Sequence, residues 1–152
     1  SRAHFARWMK MNGYVKTVQE AFDVYLGDGC PAFIKTVWPS LEEGISIILN
    51  AGGIPVLAHP GRYKLPEATP LSQLMKEFHE EGGLGIEVCS GSQRSETEAM
   101  LADFARQYGF YASLGSDFHT IGGGRPRPGE IHTLPADLDP VWKHLPALAG
   151  IL

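Results

Sequence analysis

Residues 54–63 read Ile-Pro-Val-Leu-Ala-His-Pro-Gly-Arg-Tyr, an apolar run that passes without a break into a polar turn. The run from Ile54 to Ala58 is too short for a helix, and Gly53 and Gly61 bracket it, so it reads as a buried strand. Two further stretches repeat the pattern. Gly85 to Cys89 leads into Ser90-Gly91-Ser92, and Phe110 to Leu114 leads into Gly115-Ser116-Asp117-Phe118-His119.

Helical spacing fills the intervals. Leu41, Ile45, Ile48 and Leu49 form one stripe, Leu71, Leu74, Met75 and Phe78 a second behind Pro70, and Leu101, Phe104, Ala105 and Tyr108 a third. Ser40 with Glu43 and Ser95 with Glu98 have the hydroxyl-to-carboxylate spacing that closes a helix start, and Gly52, Gly82 and Gly109 mark helix ends. Strands alternating with helices imply right-handed crossovers and a parallel sheet or barrel, an α/β class. Residues 1–38 differ: helices on Phe5, Trp8 and Met9 and on Val18, Ala21, Phe22 and Tyr25, the latter capped by Thr17 with Glu20, have no strand between them. They read as a small helical subdomain joined to an α/β part at 39–152.

At 43% hydrophobic and 20% charged over 152 residues, the chain suits a compact core. A net charge of -4 argues against wholesale binding to duplex nucleic acid, so an anionic ligand would be held locally by arginines. Cys30 and Cys89 form no CxxC pair, and there is no apolar run of membrane-spanning length and no signal region. A cytoplasmic protein with no membrane partner is expected. The chain opens at Ser1, inside a helical pattern and without an initiator Met, which suits a cut piece of a longer protein.

Parallel α/β folds place their chemistry at the C-terminal ends of the strands. All three strand ends here deliver polar or ionisable groups to one face: His59 and Arg62, then Ser90-Gly91-Ser92 after a strand that carries Glu87, then Asp117 with His119. Asp117 and His119 are two apart, so in an extended segment they point the same way, and carboxylate with imidazole suits Zn, Mn or Fe. The plain alternative is a turn that uses Asp and His for local hydrogen bonds; His59 at a matching strand end weighs against it. Glu87, in a buried strand, needs a partner, either as a ligand or by orienting a ligating histidine from behind. By spacing alone Arg2 and His4 read as a solvated helix end, His79 and His144 as solvated, and His132 as an edge strand or loop without a role. GxxxxGK, GxSxG, GxGxxG and HExxH are absent, which leaves metal-assisted hydrolysis.

The strings SRAHFARWM (1–9), PSLEEGISIILNAGGIPVLAHPGRY (39–63), GIEVCSGSQ (85–93) and GSDFH (115–119) occur in order across nearly the whole chain. Together they resemble the polymerase and histidinol phosphatase (PHP) superfamily, in the branch of nucleoside 3',5'-bisphosphate phosphatases and exoribonucleases of the RNase AM type. The resemblance implies the C-terminal part of a distorted βα barrel, with residues 1–38 as a partial helical insertion. It implies a metal-dependent phosphoesterase that acts on small nucleotides or nucleotides at RNA 5' ends, with up to three divalent ions, Mn, Fe or Zn, activating water. His59 would serve one metal position and Asp117 and His119 two further ones, while Ser1, Arg2 and His4, assisted by Arg62, would hold substrate phosphate. The family's opening HxH motif does not occur, so only part of the ligand set is present. That implies a fragment inert by itself, with self-association through an uncovered sheet edge. The competing expectations are a degenerate PHP module with a binding or regulatory role, and a metal-dependent amidohydrolase, which the arginines disfavour.

Overall fold

The computed structural model describes residues 1–35, 37–66, 69–119, 121 and 123–145. The chain divides into two compact units, Ser1–Trp38 and Pro39–Leu152.

In the first unit, α1 (Arg2–Met11) is followed by α2 (Val18–Ala21), which runs on into a π-helical turn at Phe22–Leu26. Thr17 caps α2, its hydroxyl accepting from the Glu20 N–H at 3.0 Å, and the Glu20 carboxylate accepts from the Lys16 N–H at 2.6 Å. Ala6 and Ala21 are fully buried and, with Val15 and Leu26, form the core of this unit. The expected face on Phe5 and Trp8 is not the buried one: these side chains are 65% and 54% exposed. Small side chains let helices pack closely, so Ala6 takes the core position, and Trp8 instead stacks on Tyr14 with ring centroids 5.4 Å apart.

The second unit alternates helices and strands: α3 (Leu41–Asn50), β1 (Val56–Leu57), α4 (Leu71–Glu80), β2 (Gly85–Ser90), α5 (Ser95–Tyr108) and β3 (Tyr111–Gly115). The strands form one parallel sheet in the order β1-β2-β3, with Val56 opposite Gly85 and Gly85 opposite Tyr111. Short 3-10 turns lie at Pro60–Arg62 and Val141–His144. Among the described residues, β1 carries no strand on its outer side, while β3 is bridged at Ala112 by Pro140.

Ser40 and Glu43 close the start of α3 reciprocally, at 3.1 and 2.8 Å. The expected twin at Ser95 does not form. Helix α5 begins one residue earlier than that box requires, with Arg94 at the cap position and Ser95 already helical, and the Glu98 carboxylate is turned to His132 instead. Between β2 and the helices lies the core, with Met75, Ile86, Val88, Leu101 and Ala112 all at 0% exposure. Each large apolar side chain so removed from water contributes about 1.5–3 kcal/mol. The α3 stripe is only partly buried: Ile45 is inside, but Ile48 and Leu49 are 40% and 41% exposed.

One irregularity decides where the strand β2 side chains go. Glu87 lies opposite Ser113 and Cys89 opposite Leu114, so Val88 is an extra residue, a β-bulge. In a regular strand Glu87 and Cys89 would share a face. With the bulge they separate, Glu87 toward His59 and Cys89 toward α5.

Candidate functional site

Three non-glycine residues among those described have positive φ: His59 at 35°, Ser92 at 63° and Asp117 at 52°. Each is the second residue past the end of its strand, β1, β2 and β3 respectively. Left-handed backbone is costly for side chains with a Cβ and is retained where surrounding contacts over-determine it, which happens most often at functional sites. The same three turns are bound to one another. The His59 N–H donates to Glu87 Oε2 at 2.9 Å, joining the turn after β1 to the middle of β2. Arg62, in the turn after β1, donates through Nη1 to Asp117 and through Nη2 to the Gly91 carbonyl, joining all three.

Arg125 completes this network. Its Nη1 donates to the Gly91 carbonyl at 3.0 Å, and its Nε lies 3.4 Å from Asp117 Oδ2. Two guanidinium groups thus converge on one carboxylate and one carbonyl. For Asp117, burial would raise the carboxyl pKa, but the Arg62 hydrogen bond and the charges of Arg62, Arg125 and His119 outweigh it and hold the pKa below the ordinary value. Ser92 ties the end of β2 to the same segment, its hydroxyl donating to the Gly124 carbonyl at 2.8 Å. Close approach is built in: a Cβ on Gly115 would lie 3.1 Å from Glu87 Oε1.

His119 sits differently. Its Nδ1 meets the Asp117 carbonyl oxygen at 2.8 Å and its side chain is 78% exposed. The turn at Asp117 therefore breaks the extended geometry that the two-residue spacing assumed. Tyr63 lies behind His59 with ring centroids 6.2 Å apart, and its hydroxyl donates to the Ala58 carbonyl at 2.8 Å. Burial first, and then the Glu87 charge, raise the pKa of this phenol.

In the first unit, Ser1 Oγ lies 3.4 Å from His4 Nδ1, while Arg2 donates to the Leu26 carbonyl at 3.3 Å and lies over the Phe33 ring at 5.7 Å. His4 lines a cleft of about 460 Å³ with Phe5 and Trp8. Of the histidines read as solvated, His144 is bonded to Asp139 at 2.7 Å and stacked on Tyr111 at 3.9 Å, and His79 packs against Tyr108 at 5.3 Å. These contacts occupy both rings in structure.

The donor chemistry at the strand ends fits a divalent ion. His59 Nδ1 is buried without a hydrogen-bond partner among the described residues, an arrangement that costs free energy unless something binds there. Carboxylates at Asp117 and Glu87 lie in the same network, and both are bonded to groups a cation would compete with. Sequence reading missed Arg125 and the Gly91 carbonyl. Arg125 stands in a stretch of Gly, Pro and Arg without periodicity, 34 residues from its partner, and the one available signal was its sequence neighbourhood of arginines.

The chain is 42% identical over 147 residues to a 3',5'-nucleoside bisphosphate phosphatase of Chromobacterium violaceum, covering 97% of this chain and 51% of that protein. It is 37% identical to the 5'-3' exoribonuclease Rnm of Escherichia coli, over 94% of this chain and 48% of the relative. These relatives are hydrolases. Among solved structures, a Chromobacterium violaceum amidohydrolase with bound sulfate and no metal matches at a TM-score of 0.75 and 40% identity, covering 97% of this chain and 50% of that one. A Bifidobacterium adolescentis protein, whose description as a metal-dependent phosphoesterase is itself an inference, matches at a TM-score of 0.66 and 28% identity, covering 88% and 46%. No family model matches the chain. The chain spans about half the length of the curated relatives it matches. Among the described residues, no helix is long and apolar enough to cross a membrane.

Proposed function

We propose that the protein to which this chain belongs is a cytoplasmic, metal-dependent phosphoesterase of the PHP type. It releases phosphate from small nucleotides such as nucleoside 3',5'-bisphosphates, or nucleotides from RNA 5' ends. The observation that carries this reading is the network of strand-end groups, in which an unpartnered imidazole nitrogen, two carboxylates and two guanidinium groups are held together. The kinship to a bisphosphate phosphatase and an exoribonuclease supplies the substrate class. In this reading the sheet is the C-terminal part of a distorted βα barrel and residues 1–38 are part of its helical insertion.

His59, Asp117 and His119 would hold divalent ions, Mn, Fe or Zn, with Glu87 fixing the His59 turn through its backbone N–H. A bound ion of this class acidifies water and offsets charge on a phosphoryl group. Arg62 and Arg125 are aligned in advance by the Gly91 carbonyl, so little side-chain entropy remains to be lost when they take phosphate oxygens. Asp117 keeps the two guanidinium groups together without substrate, and a phosphate would take over that role as acceptor. Ser1, Arg2 and His4 are assigned to substrate phosphate in the whole protein.

The description of one structural neighbour favours a second reading, an amidohydrolase. Two converging arginines weigh against it, since an uncharged amide offers no match for them. Assay of the whole protein with Mn(II) against a nucleoside 3',5'-bisphosphate and against N-acyl amides separates the two. Phosphate release with no amide cleavage is expected; amide cleavage alone would replace the proposal.

A further inference from the structure

On the other side of the β2 bulge lies a cluster that the strand-end reading does not use. The ligand atoms of Cys89, Glu98 and His132 all lie within 4.8 Å of one another. They come from three elements: β2, the first turns of α5, and the segment that follows Gly124. They line a cleft of about 500 Å³ that also touches Ala102 and Arg106. We propose that Cys89, Glu98 and His132 form a second divalent-metal site, of the zinc class, separate from the strand-end site.

The donor set suits such an ion, and two of its atoms have no other partner among the described residues. Sulfur, nitrogen and carboxylate oxygen is the mixed set that borderline ions prefer over Mg or Ca, and three protein donors with one position left for water is a common zinc arrangement. Cys89 is 2% exposed and its thiol makes no hydrogen bond among the described residues. Glu98 Oε1 is likewise buried and without a partner, although Oε2 meets His132 Nε2 at 2.8 Å. A plain His-Glu pair explains Oε2 but leaves Oε1 and the thiol unexplained.

Charge also balances. On binding, the Cys89 S–H bond breaks, its proton passes to water, and a metal–sulfur bond forms. Thiolate and carboxylate then carry two negative charges against the two positive charges of the ion, with the imidazole neutral. Typical bond lengths of about 2.0–2.3 Å put donors in a tetrahedral shell roughly 3.5 Å apart, so the cluster needs a small contraction. His132 can supply that movement, because its side chain is 63% exposed on a loop. The ion would pin this loop to β2 and α5, and the segment leading into the loop carries Arg125, which reaches Asp117.

Cobalt(II) titration of the chain reads the site directly, because a cysteine ligand gives a near-ultraviolet thiolate-to-cobalt band that oxygen and nitrogen donors do not. The strand-end residues include no cysteine, so His59→Ala with Asp117→Asn should keep the band, whatever becomes of the proposed phosphoesterase. Cys30→Ser should keep it too, since the Cys30 thiol is engaged with the Asp23 carbonyl at 3.3 Å. Cys89→Ser should abolish it, and zinc should bleach it. His132→Ala, at an exposed position that does not threaten folding, should weaken cobalt binding by about tenfold or more, since even groups behind a ligand cost that much. No thiolate band in the wild-type chain, a band that survives Cys89→Ser, or unchanged affinity in His132→Ala would each overturn the proposal.

Discussion

Replacing Gly91 with Ala tests the convergence of the strand ends without touching an ionisable group. The Gly91 N–H donates to the Gly115 carbonyl at 2.9 Å, which holds the residue against the end of β3. A Cβ there would press well inside contact distance of the Ser116 carbonyl oxygen and lie 2.8 Å from Pro126 Cδ. Both obstacles are parts of the backbone or of a rigid ring, so relief requires the strand ends to part. Overpacking of this kind costs about 3 kcal/mol, the upper part of the usual range. In a unit of this size that lowers the melting temperature by about 10 °C. Gly109→Ala is the control: φ is +68° and nothing lies within 4 Å of the added Cβ, so only backbone strain of about 1 kcal/mol applies. Thermal unfolding followed by circular dichroism compares the two. If Gly91→Ala melts no lower than Gly109→Ala, the packing of Gly91 between β3 and the Pro126 segment is wrong, and the arginine network built on its carbonyl falls with it.

Three other outcomes are expected. Asp117 has a folded pKa below its ordinary value, so its contribution to stability is present above about pH 4 and is lost as pH falls through the depressed value. Acid titration of Asp117→Asn should therefore show a shallower loss of stability below pH 4 than the wild type, and an equal slope would remove the ion pair from the account. Ser40→Ala breaks the reciprocal cap of α3 and should cost about 1 kcal/mol in urea unfolding, whereas Ser95→Ala should cost little because Ser95 caps nothing. In the whole protein, Arg2→Ala should raise KM for a nucleoside bisphosphate several-fold if Arg2 holds phosphate, and an unchanged KM would take it out of the site.

Sequence reading located the strands because each is an apolar run between glycines that ends in polar residues, a local signal. It overstated β1, which shrinks to Val56–Leu57 because Pro55 has no N–H to give to a ladder. It placed His59 and Asp117 just past strand ends, and Glu87 within the second strand, for the same local reason. It could not see the pairing of Arg62 with Asp117, 55 residues apart, or the Arg125 contact, because neither leaves a period in the chain. The Ser95–Glu98 spacing misled because a distant histidine competes for the carboxylate. The bulge at Val88 was also hidden: one extra residue moves Cys89 to the face away from Glu87, and only the register with β3 reveals it.

The most direct test of the central claim is hydrolysis and metal content measured together on the whole protein, for the wild type, His59→Ala and Asp117→Asn. The account predicts that both substitutions lower bound metal and cut phosphate release from a nucleoside 3',5'-bisphosphate by about a hundredfold or more, since removing a ligand should cost at least as much as removing a group behind one. Metal content and turnover within about twofold of the wild type in both variants would contradict it.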